Sequence, residues 1–228
     1  MKRIIVFLVS VIAALSLLSQ NAFATDSRKH VYCKNSQNQK RVALTFDDGP
    51  HPRYTEKILD ILDEFDVTAT FFVIGVNAEN YPEALDKIVN SGCEIANHTY
   101  SHVRIDKMSE DELYQEIKKC EDVLYEKTGK RPTLFRPPEG RVPQTLLTLS
   151  DTMGYSVVLW SIDTLDWSHN PSEKISATVM KQMRGGDIIL MHDYVSGLNT
   201  TCDALRIFIP KLLAEGYEFV TVSELIGE

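Results

Sequence analysis

Short apolar stretches rich in β-branched and aromatic residues recur along the chain, as expected of buried strands. They lie at residues 42–46, 70–74, 94–96, 133–135, 156–160, 188–191 and 218–220. Between them, apolar residues recur at helical spacing, which predicts amphipathic helices. The predicted helices cover residues 54–65, 84–89, 113–125, 144–153, 175–183 and 204–213.

Strand and helix patterns alternate about seven times between residues 41 and 226. Such an alternation predicts one α/β domain with a mainly parallel sheet and helices outside it. The number of repeats and the length of the chain favour a closed or nearly closed (β/α) barrel. An open, doubly wound sheet is the alternative architecture.

Local signals mark the ends of several predicted helices. Ser109, followed three residues later by Glu112, has the spacing of a capping box at the start of the longest helix. Gly129, Gly154 and Gly216 each follow a predicted helix, where a left-handed cap favours glycine.

The first 24 residues have the pattern of a secretory signal peptide. A basic start precedes an apolar run over residues 4–18, and a polar stretch then ends in Ala22-Phe23-Ala24. We expect cleavage after Ala24 and a mature protein that is secreted or held in the cell envelope. An uncleaved membrane anchor is the alternative, but the run is short against the roughly 20 residues of a spanning helix. Residues 25–40 are polar and predict an N-terminal arm or linker.

The acidic composition narrows the classes of partner. A formal net charge of −8 disfavours nucleic acid, whose phosphates need a basic footprint. No pattern implies a stable protein partner. The four cysteines Cys33, Cys93, Cys120 and Cys202 form no CxxC pair, which disfavours a thiolate zinc site. Export would permit disulfides, and the sequence does not choose among the pairings.

Chemically reactive side chains directly follow five of the predicted strands. In barrels and open parallel sheets, the carboxyl ends of the strands carry the active site, so we expect these groups to share one pocket. The alternative is that these are ordinary polar residues of loops, without a shared function. That alternative is weakened because five loops carry such residues together. The residues are Asp47, Asp48, His51, His98, His102, Arg136, Glu139, Asp163, Asp166, Trp167, His192 and Asp193.

His98 and His102 are four residues apart, a spacing at which a helical turn directs both imidazoles to one point. The residues between them supply no carboxylate, so a third ligand and a base must come from elsewhere. Asp47 and Asp48 can supply both, one to a metal and one to a water. Two histidines and one carboxylate leave positions open for water and substrate, as hydrolytic metal sites require.

Five motifs resemble, in order, those of the NodB-like polysaccharide deacetylases, carbohydrate esterase family 4. The motifs are Thr45-Phe46-Asp47-Asp48-Gly49-Pro50, His98-Thr99-Tyr100-Ser101-His102, Arg136-Pro137-Pro138-Glu139-Gly140, Asp163-Thr164-Leu165-Asp166-Trp167 and Leu190-Met191-His192. The resemblance implies a distorted (β/α) barrel over residues 41–226, the NodB homology fold. It also implies a hydrolase that removes N-acetyl groups from an amino-sugar polymer and releases acetate. The implied cofactor is a divalent metal, for which we expect zinc, with cobalt or another transition ion as the alternative.

The resemblance assigns a role to each matching residue. Asp48, His98 and His102 would be the metal ligands, and Asp47 would be the general base, with Arg136 holding its carboxylate charged and oriented. His192 would be the general acid, tuned by Asp166. Trp167 and Leu190 would form the walls of the acetyl pocket.

Glu139 departs from the family pattern, which usually has tyrosine at this position. The family's oxyanion donor here is the backbone N–H, which glutamate retains, so we expect activity to persist. A carboxylate beside the oxyanion would lower the rate or select a cationic substrate, and subsite specificity is therefore open.

Two other functions compete with a deacetylase. A phosphatase of the aspartyl-phosphate type needs two aspartates separated by one residue, whereas Asp47 and Asp48 are adjacent and the histidines would have no role. A carbohydrate-binding protein on an inactive enzyme scaffold would lack a ligand or the acid, and here every expected group is present. Export favours peptidoglycan as the polymer, with chitin-like oligomers and acetylated xylan as alternatives.

Overall fold

The computed structural model describes residues 31–37, 40–196 and 200–227. The predicted signal peptide, its cleavage site and residues 25–30 lie outside this part of the chain. The nine strands within it, β1 to β9, are Val31–Tyr32, Arg41–Asp47, Thr70–Val73, Glu94–Asn97, Leu134–Phe135, Ser156–Val158, Ile162–Asp163, Ile188–His192 and Glu218–Val220.

Eight α-helices alternate with these strands over the same described residues. They are α1 to α8, at Tyr54–Glu64, Gly75–Asn80, Pro82–Asn90, Glu110–Thr128, Gln144–Met153, Ser172–Gln182, Thr201–Ala214 and Val222–Ile226. Short 3-10 helices lie at Ile105–Lys107, Pro138–Gly140 and Asp166–Ser168. None of the described helices is long and apolar enough to cross a membrane. Every strand and helix predicted from the sequence is present, with ends shifted by a few residues.

The sheet is parallel throughout its strand pairs, in the order β1-β6-β5-β4-β3-β2-β8-β7, with β9 beside β2. Beyond β1, Lys34 forms an antiparallel bridge to Asp187, which precedes β8. The N–H of Asn35 donates to the carbonyl of Gly186 over 2.7 Å. The two ends of the strand order therefore approach each other, and the sheet curls into a half-barrel with helices outside. This architecture confirms the predicted distorted barrel.

Part of the predicted N-terminal arm belongs to the sheet. Val31–Tyr32 pairs with β6, so the prediction of an arm over residues 25–40 is wrong at this point. A two-residue strand has no periodicity to detect, and its partner is more than a hundred residues away in sequence. The same brevity hid β7, and the short helices α2 and α8 also carried too few residues for a helical pattern.

Alternation along β2 directs its side chains to opposite faces of the sheet. Leu44 and Phe46 are buried against the outer helices. Ala43 belongs to a separate apolar cluster on the other face, which also contains Phe72. The same alternation carries Asp47 to that inner face, at the carboxyl end of the strand. The hydrophobic pattern of β2 thus presents a carboxylate to the interior of the curl.

The predicted caps form as expected on α4. The Ser109 hydroxyl accepts the N–H of Glu112, whose carboxylate accepts the N–H of Ser109 over 2.8 Å. Gly129 and Gly154 close α4 and α5 with φ of 70° and 75°, in the left-handed region. The capping box fixes where α4 begins, and thereby where this helix meets the loop after β4.

Candidate metal-dependent active site

The carboxyl ends of the strands surround one cavity of about 480 Å³. Its lining residues are Asp47, Asp48, His98, His102, Glu139, Trp160, Asp163, Trp167, Leu190 and His192. Four residues that the sequence predicted for this pocket do not line it. Arg136 and Asp166 each lie behind a lining side chain, Asp193 is buried beside Gly49, and His51 lies outside the lining, so for His51 the expected shared pocket is wrong. The structure places every residue to which the resemblance assigned a role at this cavity or directly behind it.

Asp48, His98 and His102 form a cluster whose ligand atoms all lie within 4.8 Å of one another. Asp48 Oδ1 is 3.6 Å from Nε2 of His98 and 3.3 Å from Nε2 of His102. The same oxygen is buried without a hydrogen-bond partner. Burial opposes the charge of Asp48, but the nearby imidazoles of His98, His192 and His102 lower its pKa to about 2.

A divalent cation fits these three side chains. An orphaned buried carboxylate oxygen is costly unless a ligand satisfies it, and Asp48 Oδ1 is such an oxygen. One carboxylate and two imidazoles are a donor set typical of zinc and neighbouring transition metals. Three protein ligands also leave coordination positions for water and substrate.

The orientation of His98 is fixed from behind. Its Nδ1 lies 2.7 Å from the carbonyl oxygen of Arg136, an acceptor, so Nδ1 carries a proton and Nε2 is the atom that would bind a cation beside Asp48. Burial would lower the pKa of this imidazole, but the charges of Asp47 and Asp48 raise it above its ordinary value. The backbone of the third motif thus sets the tautomer of a residue in the second.

His102 reaches the cluster by a route that the sequence did not predict. Residues 98–102 form a loop rather than a helical turn, because Thr99 and His102 have positive φ of 66° and 54°. The N–H of Thr99 donates to Asn97 Oδ1 over 2.9 Å, and the N–H of His102 donates to Thr99 Oγ1 over 3.0 Å. The predicted helical turn is therefore wrong, although the convergence of the imidazoles is correct.

Asp47 is held by a buried arginine. Arg136 Nη1 donates to Asp47 Oδ1 over 2.7 Å and to Thr45 Oγ1 over 2.8 Å. Its remaining donors bind the carbonyls of Val158 and Leu159. Both charged side chains are almost fully buried, so the pair depends on this full set of partners. The other carboxylate oxygen, Asp47 Oδ2, lies 3.8 Å from His98 Nε2 and faces the cluster.

His192 is coupled to a carboxylate behind the cavity wall. Its Nδ1 and its backbone N–H bind the two oxygens of Asp166, each over 2.8 Å. Thr201 and the N–H of Trp167 donate to the same carboxylate. Burial would lower the pKa of His192, but the hydrogen bond and charge of Asp166 raise it to about 9. His192 is therefore protonated at neutral pH, with Nε2 on the cavity side of the ring.

Glu139 and Trp160 form another part of the cavity wall. Glu139 has a positive φ of 56° and pairs with Arg141, whose Nε donates to it over 2.7 Å. Trp160 also lines the cavity, although it was not among the residues predicted for the site. A Cβ on Gly140 would lie 2.7 Å from the Trp160 ring, so glycine permits the ring to pack there. The position of Trp160 at the end of the strand predicted over residues 156–160 was the sequence signal that could have placed it at the site.

Asp193 supports the loop that carries both reactive aspartates. It is fully buried, and its N–H donates to the carbonyl of Asp47 over 3.2 Å. Its carboxylate accepts the Thr55 hydroxyl over 2.5 Å and occupies the space beside Gly49, where a Cβ would lie 1.9 Å from Oδ2. Burial raises the pKa of Asp193 to about 7. No role was assigned to it from sequence, because its partners lie far away along the chain.

Comparison with known proteins decides the family. The sequence profile described as polysaccharide deacetylase matches residues 34–158. This chain belongs to the polysaccharide deacetylase family. The family and enzyme class predicted from the motifs are therefore confirmed, and the aspartyl-phosphate phosphatase is excluded.

Three relatives of this polysaccharide deacetylase are informative. A peptidoglycan-N-acetylglucosamine deacetylase of Bacillus cereus is 39% identical over 191 residues, covering 83% of this chain and 89% of the relative. A crystal structure of a peptidoglycan N-acetylglucosamine deacetylase with a bound N-oxidanyl-benzamide has a TM-score of 0.82 and 38% identity, covering 86% and 91%. A family 4 acetyl xylan esterase from Clostridium thermocellum, in complex with cobalt, has a TM-score of 0.76 and 37% identity, covering 82% and 91%.

The four cysteines of this enzyme are free thiols in the described structure. Cys120 is buried, and burial raises the pKa of its thiol. Cys33 is exposed, and Cys93 and Cys202 are partly buried. The described structure therefore contains no disulfide between these four cysteines.

Proposed function

We propose that this enzyme removes N-acetyl groups from the amino sugars of peptidoglycan, releasing acetate. The observation that carries the proposal is the Asp48–His98–His102 cluster with the Asp47 carboxylate beside it and His192 lining the same cavity. The relatives named for peptidoglycan support this polymer over chitin-like oligomers and acetylated xylan.

Asp48, His98 and His102 hold the metal in this proposal, and zinc is the ion that this donor set favours, with cobalt as the alternative. A bound divalent cation supplies Lewis acidity, which acidifies water and polarises an amide carbonyl. The chain's own groups do the rest of the chemistry. Asp47 Oδ2 accepts the proton of the attacking water, while Oδ1 stays bound to Arg136.

His192 completes the reaction as the general acid. When the C–N bond breaks, the sugar nitrogen takes a proton from His192 and leaves as a free amine. The acetyl carbon keeps the water oxygen with its second proton and leaves as acetic acid, which loses that proton to solvent and becomes acetate. Asp166 keeps His192 protonated at neutral pH. The hydrogen balance closes because Asp47 returns its proton to solvent or to His192 between turnovers.

The cavity walls select the acetyl group and stabilise the developing charge. Trp167 and Leu190 enclose the methyl group, since both line the cavity beside His192. The backbone N–H of Glu139 is the oxyanion donor, and its positive φ orients that peptide. The side chain of Glu139 pairs with Arg141, whose hydrogen bond lowers the pKa of the carboxyl. This pairing draws the negative charge away from the oxyanion.

Export of the enzyme belongs to the same proposal. A basic start, an apolar run and the Ala22-Phe23-Ala24 ending are typical of a cleaved signal peptide. Peptidoglycan lies outside the cytoplasm, so a peptidoglycan deacetylase needs such a route. N-terminal sequencing of the secreted protein tests it: we expect Thr25 as the first residue, whereas a start at Met1 contradicts the cleavage.

The direct test is acetate release from peptidoglycan, an N-acetylglucosamine hexamer and acetylated xylan. We expect release from peptidoglycan, loss of release with a chelator, and recovery when zinc is added back. Turnover on xylan but not on the N-acetylated polymers would overturn the substrate assignment. No release from any polymer in metal-replete buffer would support the carbohydrate-binding protein instead.

A further inference from the structure

Four aromatic rings pack together outside the lining of the catalytic cavity. The ring of His51 stacks on that of Tyr194, with centroids 4.9 Å apart and planes inclined by 10°. Tyr54 lies 4.9 Å from His51 and Tyr81 lies 6.3 Å from it, centroid to centroid. Tyr194 is 42% exposed and Tyr81 is 38% exposed. We call His51, Tyr54, Tyr81 and Tyr194 the aromatic platform.

The platform lies beside the rim of the cavity, because the same loops carry both. Tyr194 is two residues after His192, so their Cα atoms are at most about 8 Å apart. His51 is three residues after Asp48, which limits their Cα separation to about 11 Å. The platform therefore adjoins the side of the site formed by the loops after β2 and β8.

A second link ties Tyr81 to the metal-binding loop. The side chain of Asn77 donates to the carbonyl of Asp48 over 2.8 Å, and the N–H of Tyr81 donates to the carbonyl of Asn77 over 2.8 Å. Trp167 and Glu139, by contrast, border the cavity from the loops after β7 and β5. Exposed aromatic surface thus extends beyond the cavity from its β2 and β8 side.

Hydrogen bonds hold the His51 ring at the centre of the platform. His51 Nδ1 accepts the N–H groups of Arg53 and Tyr54, each over 3.2 Å, which fixes the ring. The His51 N–H donates to Thr55 Oγ1 over 2.7 Å, and Thr55 donates in turn to buried Asp193. A preordered surface loses little conformational entropy on binding.

We propose that the aromatic platform is a saccharide subsite, which binds a pyranose unit next to the unit that is deacetylated. The inference rests on the proposed polysaccharide substrate. A cavity of about 480 Å³ has the size for one small ligand, so neighbouring units of a polymer must lie on the surface outside it. β-Linked pyranoses have flat C–H faces that match exposed aromatic rings, while their hydroxyls remain in water or meet the tyrosine hydroxyl.

Substrates of different length test the subsite. We expect Tyr194→Ala and Tyr81→Ala to lower kcat/KM for a β-1,4-linked N-acetylglucosamine hexamer about ten-fold, with less than a two-fold effect on the dimer. Ten-fold corresponds to about 1.4 kcal/mol, the scale of covering one tyrosine face. Tyr194→Phe, which retains the ring, should behave as the wild type does.

Tyr125→Ala is the matched control, since Tyr125 is an exposed tyrosine near the far end of α4. It should leave both substrates unaffected. An equal loss on hexamer and dimer, or no loss with Tyr194→Ala and Tyr81→Ala, would overturn the subsite. If the wild type releases acetate from no polymer, the proposed function fails. In that case, calorimetric titration with the hexamer still tests the subsite. The subsite requires Tyr194→Ala to bind the hexamer more weakly than the wild type does.

Discussion

The two ends of the sheet differ in how their carboxylates are paired. At the amino end, Glu94 accepts hydrogen bonds from Thr70 over 2.7 Å and from the hydroxyl and N–H of Ser223, which tie α8 to the sheet. At the carboxyl end, Asp48 Oδ1 and Asp193 Oδ1 are buried without partners. Positive φ angles at Asp48, Thr99 and His102 also collect at this end.

This difference separates stability from function. Where only the fold is at stake, as at Glu94, the carboxylate is satisfied within the protein. Where Asp48 faces two imidazoles, the chain leaves an oxygen unpaired and accepts strained backbone, costs that a folded protein tolerates at functional sites. The following predictions change one end at a time and measure metal binding, turnover and unfolding.

Asp47→Asn has the largest expected effect on turnover. It removes the proton acceptor, so kcat should fall by about a thousand-fold or more, while zinc content stays at the wild-type level. Acetate release and elemental analysis measure the two quantities. Asp163→Asn is the matched control, because Asp163 lines the same cavity but is not one of the clustered ligands, and its carboxylate accepts the N–H of Leu165. Zinc loss in Asp47→Asn would contradict the assignment of Asp47 as the base.

Asp166→Asn should change the pH profile of kcat. Its charge and hydrogen bond raise the pKa of His192, and the variant loses the charge. A general acid is active below its pKa and inactive above it, so the alkaline limb of the profile should move to lower pH by roughly one unit or more. An unmoved alkaline limb would contradict the role of His192 as the acid.

Asp193→Ala should weaken zinc binding, although Asp193 is not itself one of the proposed zinc ligands. The variant removes the group that fills the space beside Gly49 and binds Thr55, and we expect about a ten-fold loss of zinc affinity, as for other supports of a metal site. Asp193→Asn, with nearly the same shape, should recover most of it. Calorimetric titration with zinc measures both variants, and equal affinity in Asp193→Ala and wild type would refute the supporting role.

Glu94→Gln should have the smallest effect on function. It replaces an acceptor at the amino end by a donor, so the free energy of unfolding should fall by about 1–3 kcal/mol. Zinc affinity and turnover should stay within two-fold of the wild type. Denaturant unfolding measures the first quantity, and a large loss of zinc in this variant would break the separation between the two ends.

Much of this molecule could be predicted from its sequence, because the longer elements have clear periods. The strands such as Arg41–Asp47 and the helices such as Glu110–Thr128 carry enough residues for a hydrophobic pattern, and the Ser109 capping box is a local signal. The site residues follow strands whose ends must meet at one edge of a parallel sheet. Order along the chain therefore predicted proximity in space.

Features that depend on distant contacts could not be predicted. Val31–Tyr32 is a strand only because β6 lies beside it. The loop of His98 and His102 owes its shape to hydrogen bonds such as that from Thr99 to Asn97, and spacing alone suggested a helical turn. Trp160 lines the cavity because Gly140 leaves room for its ring. In each case the decisive partner is not visible in the local sequence.

Zinc titration of metal-free protein is the decisive test of the Asp48–His98–His102 site. We expect one zinc ion per chain in the wild type and in Asp163→Asn, with acetate release restored in step with binding. In Asp48→Asn, zinc affinity should fall by about a hundred-fold or more, because the charged ligand is lost. Wild-type protein that binds no zinc, or Asp48→Asn that binds it as tightly as wild type does, would contradict the claim.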